Sequence, residues 1–246
     1  LKLKKENIKG IIFDLGYSLT QMKDKKKGLS FNFNGKLNMQ LGQNDFSAYE
    51  VINKLDDKDL NTIFKFFGDE KESRAIAKNI VKERKFGEID TQKLVQLIEK
   101  TKFRKNFKTH SATKVFQALR IFVNKEVTEL INGVINATKK LKPGGKILVI
   151  SFHSLEDRVI KYFFSNFSKN KSRPSRYLPE NKISKKNLFD EYKNKVLRPS
   201  KREIDHNKRS RSAKLRFAIR SKDSFEYPEE FKKKFRKYLD LEAINV

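Results

Sequence analysis

An α/β fold with an inserted block of helices is predicted by three features of this 246-residue sequence. Two apolar runs, Ile8–Phe13 and Ile147–Ile150, each end in a polar turn, as buried strands of a parallel sheet do. A helical stretch stopped by Lys142-Pro-Gly-Gly145 leads into the second run, which makes the second half of an α/β crossover. Between the runs, residues 46–101 carry repeated helix-start signals and no strand signal.

The elements follow in chain order. The first strand closes on Asp14-Leu-Gly16, a turn that leaves one carboxylate at the carboxyl edge of the sheet. Residues 16–45 read as a loop rich in Gly, Asn and Lys. Four short helices are expected over 46–101. Asp56 or Asp57 caps the second, which ends at Gly68; Asp69 with Glu72 makes a capping-box pattern for the third; Asp90 caps the fourth. This block, residues 45–111, is the predicted inserted helical domain, with 1–44 and 112–246 forming the core around it. Val115, Leu119, Phe122, Leu130 and Val134, with Glu126 as the one polar exception, place one long helix over Ser111–Leu141. The second strand runs into "SFHSLEDR", where Ser154 is expected to cap a helix whose first turn holds Glu156 and Asp157. From Phe163 to Arg211 the chain is polar and basic, with Pro174, Pro179 and Pro199. Lys214–Arg220 alternates basic with apolar residues, which predicts a strand with one wet, basic face. Pro228 opens a last helix with Leu239 and Leu241 near its end. Two buried strands and one alternating strand fall short of the roughly five or six in a doubly wound sheet, so half a sheet looks to be missing.

Bulk composition narrows the function classes. There are 57 Lys and Arg against 30 Asp and Glu, a net charge of +27. That excess points to a polyanionic partner, and nucleic acid is the commonest. The absence of cysteine excludes disulfides and thiolate metal sites. No run approaches the ~20 apolar residues of a membrane span, and no leader pattern is visible. A cytoplasmic protein without membrane attachment is expected.

Asp14 first invites comparison with the nucleophile of haloacid dehalogenase-type phosphatases. That chemistry needs a second acid two residues on, and Gly16 stands there. Ser151, His153, Ser154, Glu156, Asp157 and Arg158 gather titratable groups at one strand end, yet lie too close in sequence for a Ser-His-acid triad. His110, His153 and His206 are too scattered for a metal site. From Arg173 to Arg220, basic residues alternate with Tyr177, Tyr192 and Phe217. Such a mixture can neutralise phosphates and stack on unpaired bases. Lys214, Arg216 and Arg220 would line an RNA-facing rim.

Five ordered blocks then resemble the ribosomal RNA small subunit methyltransferase H family: "DLGYSLTQ" (14–21), "KGLSFNFNGKLNM" (27–39), "FQALRIFVNKEV" (116–127), "KPGGKILVISFHSLEDRVIKYFF" (142–164) and "RSAKLR" (211–216). The resemblance implies a Rossmann-like class I methyltransferase core, here partial, around the helical insertion. It implies S-adenosyl-L-methionine as cofactor and a cytidine N4 in the decoding region of 16S rRNA as target, with 16S rRNA or the small ribosomal subunit as partner. Asp14 and Gln21 carry over as cofactor-site residues. Asp14, Ser151, His153, Glu156 and Asp157 become the catalytic candidates. Ser154, Arg158, Arg198, Arg209, Arg211, Lys214 and Arg216 become the RNA-binding ones. No metal is implied, and a homo-oligomer stays open. An RNA-binding protein without catalysis is the alternative reading. The family's glycine-rich cofactor loop lies before the Asp-Leu-Gly strand, where only Leu1–Gly10 stand here. The expectation is therefore an N-terminally truncated fragment that binds the cofactor weakly. Thr20, Asn34, Lys36 and Asn38 also depart from the family's usual residues.

Overall fold

A computed structural model describes residues 8–31, 36–42, 44–103, 110–169, 186–190 and 192–246. Its elements are β1 (Gly10–Asp14), α1 (Leu19–Lys23), α2 (Ala48–Lys54), α3 (Asp57–Gly68), α4 (Ser73–Glu83), α5 (Thr91–Thr101), α6 (Thr113–Val123), α7 (Glu126–Lys140), β2 (Lys146–Ser151), α8 (Ser154–Asn166), α9 (Lys201–His206), β3 (Lys214–Ile219) and α10 (Glu229–Glu242). Short 3-10 turns lie at Arg84–Phe86 and Lys208–Ser212. The chain divides into two compact units, one from Leu1–Gly16 with Glu129–Arg236 and one from Tyr17–Thr128 with Lys237–Val246.

The first unit holds a sheet of order β1-β2-β3, with β1 parallel to β2 and β3 antiparallel to it. Register places Phe13, Val149 and Arg216 in one row, and Ile12, Leu148 and Phe217 in the next row on the opposite face. Helices cover the first of these faces. Gly133 of α7 sits so close to Phe13 that a Cβ there would come within 3.2 Å of the ring. α8 packs on the same face and buries Leu155, Val159, Ile160, Phe163 and Phe164. Phe163 stacks on Phe231 of α10, with ring centroids 4.5 Å apart. The other face is open: Ile12 is 68% and Phe217 is 44% exposed. The third strand's basic alternation is thus inverted. Its Arg216 and Ala218 are buried, and Phe217 faces water.

The second unit is helical. α3 packs between α4 and α6 through Leu60, Ile63, Phe64 and Phe67, all buried. Residues 17–44 and 112–128, which the sequence placed with the core, belong to this unit. Leu29, Leu37 and Met39 are buried, so the expected 16–45 loop packs into the unit at these positions. The expected single helix over Ser111–Leu141 is two, α6 and α7. Asn124 causes the break: its side chain donates to the Met39 and Arg120 carbonyls and accepts from Leu41 N and Asn44 Nδ2, each at 2.8 Å. Lys125 then turns with φ +48°. Asp56 and Asp90 cap α3 and α5 as expected. Asp69 instead ends α3 in a left-handed conformation, and α4 starts at Ser73 with no side-chain cap. Arg120 joins the two ends of the long 17–128 segment. Its guanidinium lies 4.8 Å from the Tyr17 ring centroid and binds Glu126 at 2.7 and 2.9 Å.

Glu242, near the end of α10, is buried. It accepts hydrogen bonds from Val127 N (2.9 Å), Thr128 N (2.8 Å) and Thr128 Oγ1 (2.6 Å), taking up orphan donors in the first turn of α7. Burial pushes its carboxyl from 4.5 up to about 7 despite these donors, and the Glu126 charge adds to the rise. A folded pKa above the unfolded one means the folded state holds the extra proton, so stability falls as pH rises from 4.5 to 7. The expected loss across that window is on the order of 3 kcal/mol. Thermal midpoints against pH should slope downward there for the native sequence and flatten in Glu242→Gln.

Candidate functional site

At the carboxyl ends of β1 and β2, two turns of the first unit meet. Ligands of open α/β sheets bind at such strand ends. Asp14, the last residue of β1, is exposed and makes no hydrogen bond or ion pair among the described residues. The pairing of the strands continues one step further, with Leu15 N donating to Ile150 O at 3.1 Å. Gly16 then adopts φ +102°, a region that favours glycine. A Cβ on Gly16 would lie 3.8 Å from the ring of Phe152, so this aromatic side chain flanks the Asp14 turn. Phe152 is 37% exposed.

The turn from β2 into α8 is held by Glu156. Its Oε2 accepts from Phe152 N at 2.8 Å and from His153 N at 3.3 Å. His153 Nδ1 in return accepts from Glu156 N at 3.4 Å, so the helix cap is His153 and not Ser154. His153 Nε2 lies 3.1 Å from Glu156 Oε1 without aligning to bond it. These two catalytic candidates therefore brace each other and the backbone carrying Phe152. Ser151 is buried, with Oγ 3.4 Å from the Lys214 carbonyl oxygen, and has a structural setting as well.

Asp157 anchors a buried cluster. Arg216 Nε donates to its Oδ1 at 2.7 Å, and Arg216 Nη2 and Lys214 Nζ donate to its Oδ2 at 3.2 Å each. Arg216 Nη1 also reaches Tyr192 Oη at 2.8 Å and Asn194 Oδ1 at 3.2 Å. Burial alone would raise the Asp157 pKa, but Arg216 and then Lys214 outweigh it and hold the carboxyl below the usual carboxylate range. This corrects the expected RNA-facing rim. Arg216 is buried and consumed by the cluster, and Lys214 shares the same acid. Arg220 is also buried, donating to the carbonyls of Leu188, Ser221 and Asp223. Basic residues on the covered face of a sheet need acids and carbonyls, and here they have them.

The other expected RNA-binding residues lie on the surface. Ser154 and Arg158 are exposed four residues apart on α8, and Arg198, Arg209 and Arg211 are exposed further along. Arg173 and Tyr177 fall outside the described residues, as does Asn34. Gln21 belongs to the second unit. Its Oε1 accepts from Ser18 N at 2.8 Å while Ser18 Oγ accepts from Gln21 N, a capping box that starts α1. Sequence reasoning passed over Phe152, Tyr192 as a partner of Arg216, and Asn194. For Phe152 a signal existed: it is the one aromatic in an otherwise polar turn.

Comparison with known proteins now bears on this arrangement. Residues 1–221 match the model of the MraW methylase family. The chain belongs to that family. Proteins named ribosomal RNA small subunit methyltransferase H are similar to it. The one from Rickettsia typhi is 42% identical over 220 residues, covering 88% of this chain and 72% of the relative. Those from Bartonella henselae (42% identical, covering 88% of this chain and 62% of the relative) and Wigglesworthia glossinidia brevipalpis (44%, covering 87% and 71%) are comparable. The chain thus spans between 62% and 72% of the length of these three relatives. Family membership implies a methyl donor and removes the phosphatase reading of Asp14. No helix among the described residues is long and apolar enough to cross a membrane.

Proposed function

We propose that this chain serves S-adenosyl-L-methionine-dependent N4-methylation of a cytidine in the decoding region of 16S rRNA, as the larger part of such an enzyme. What carries the reading is Asp14: a carboxylate without a partner among the described residues, at the carboxyl end of a parallel strand, in a chain of the MraW methylase family. S-adenosyl-L-methionine, when bound, supplies an electrophilic methyl on sulfonium. The residues present suit its cationic end. Asp14, whose carboxylate has no partner among the described residues, offers an acceptor there. A cytosine amino group is a weak nucleophile because its lone pair is delocalised into the ring. Hydrogen-bond acceptors on its N–H and close alignment with the methyl are what a protein can add. The base must also leave its stack, at a cost of a few kcal/mol.

The Glu156-braced turn supports this by fixing the backbone that faces Asp14, which limits motion of whatever binds there. The exposed Arg158, Arg198, Arg209 and Arg211 supply cationic groups for phosphate contacts. The test is transfer of a labelled methyl group from S-adenosyl-L-methionine to unmodified small-subunit RNA and to unmodified subunits, followed by nucleoside analysis. Label in N4-methylcytidine is the expected result. Label confined to another nucleoside, or none on either substrate, overturns the reading.

A further inference from the structure

We propose that Phe152 is the stacking platform for the unstacked target cytosine, a binding role that rests on the RNA-cytidine reading above. Three observations converge on it. Phe152 is a large aromatic left 37% exposed at the carboxyl end of β2, where ligands of open α/β sheets bind. Its backbone is held: Phe152 N donates to Glu156 Oε2 at 2.8 Å, and the same oxygen accepts from His153 N at 3.3 Å in the helix cap. Its ring flanks Gly16, where a Cβ would come 3.8 Å from Cδ2, two residues beyond Asp14, whose carboxylate has no partner among the described residues.

The chemistry fits a flipped pyrimidine. A base taken from its stack loses π contacts on both faces, and an aromatic side chain restores one of them. Phenylalanine offers that face with no hydrogen-bonding edge, so it holds the ring and leaves the reading of the amino group to an acceptor. Asp14 is such an acceptor, at the end of the neighbouring strand β1.

The experiment is a cycle of protein and RNA changes. A single-stranded decoding-region RNA carrying either the target cytidine or an abasic site there is titrated with the full chain and with Phe152→Leu and Phe152→Tyr. The native chain is expected to bind the cytidine RNA roughly tenfold more tightly than the abasic one, within the range measured for base–aromatic stacking. Phe152→Leu keeps apolar bulk but has no π face, and should bind both RNAs alike. Phe152→Tyr should restore the preference. The salt dependence of binding should stay the same in all three, because no phosphate contact is touched. Equal thermal midpoints check that Phe152→Leu is folded, and the tyrosine variant carries the test if it is not. Preference for cytidine retained in Phe152→Leu, or lost in Phe152→Tyr, overturns the stacking role while the RNA reading stands. A native chain that binds both RNAs alike overturns the stacking role and leaves the RNA reading standing, whereas one that binds neither RNA overturns both.

Discussion

Asp14→Asn is expected to lower methyl transfer to small-subunit RNA by about 10² to 10³-fold, the usual effect of removing one electrostatic contact to a transition state. The substitution keeps the size of the side chain and its hydrogen-bonding oxygen, and removes only the negative charge. Asp14 has no partner among the described residues, so nothing in the fold is undone. The thermal midpoint should therefore stay where it was while the rate collapses. Initial rates of label incorporation, read beside a melting curve, separate the two. A variant that transfers methyl groups at the native rate would remove Asp14 from the site. A rate loss accompanied by a fall in midpoint would instead make Asp14 a structural residue.

Arg216→Met should show the opposite pattern, with stability lost first. Removing one partner of a buried ion pair costs about 3–5 kcal/mol, because the remaining charge stays buried without compensation. Lys214 still contacts Asp157, so the loss should fall toward the lower end of that range. Tyr192 and Asn194 lose their bond to Arg216 as well, which loosens the segment they hold. The double variant Arg216→Met with Asp157→Leu should recover part of the loss, since an apolar pair no longer buries a lone charge. Acid adds a second readout. The Asp157 pKa is depressed in the fold, so its contribution is present above the ordinary carboxylate pKa of 3.8 and disappears as pH falls through the lower folded value. Denaturant unfolding between about pH 2 and 5 should show that acid loss in the native chain and lack it in the double variant.

Particular residues show how far the sequence could be read. Helix starts at Asp56 and Asp90 and the strands ending at Asp14 and Ser151 were legible, because caps and apolar runs are local signals. The break between α6 and α7 was not. Asn124 interrupts the helix through bonds to Met39 and Leu41, more than 80 residues away, and no window around position 124 contains them. The basic face of β3 was misread for a related reason. Alternation correctly grouped Lys214, Arg216 and Arg220, but the acid that draws Lys214 and Arg216 inward is on α8. Charge alone says that a residue needs a counter-charge; it does not say whether that is a phosphate outside or an aspartate within. His153 and Glu156 stood out in sequence as chemistry, and their mutual cap gives both a positioning task.

The contact of Arg120 with Tyr17 and Glu126 bears on the order in which the chain folds. β1 pairs with β2 in parallel, Gly10 opposite Lys146, so this pairing closes one of the longest loops in the chain. Closure entropy grows with loop length, and such pairings form late. The helices between them pack on one another across shorter separations, α3 on α4 and α6, and can form before the strands pair. Once they do, Arg120 clasps Tyr17, three residues past the end of β1, to the start of α7. The search left to β1 is then that of a short tether and not of a free chain, so loosening this clasp should slow sheet formation while barely changing how fast the finished sheet comes apart.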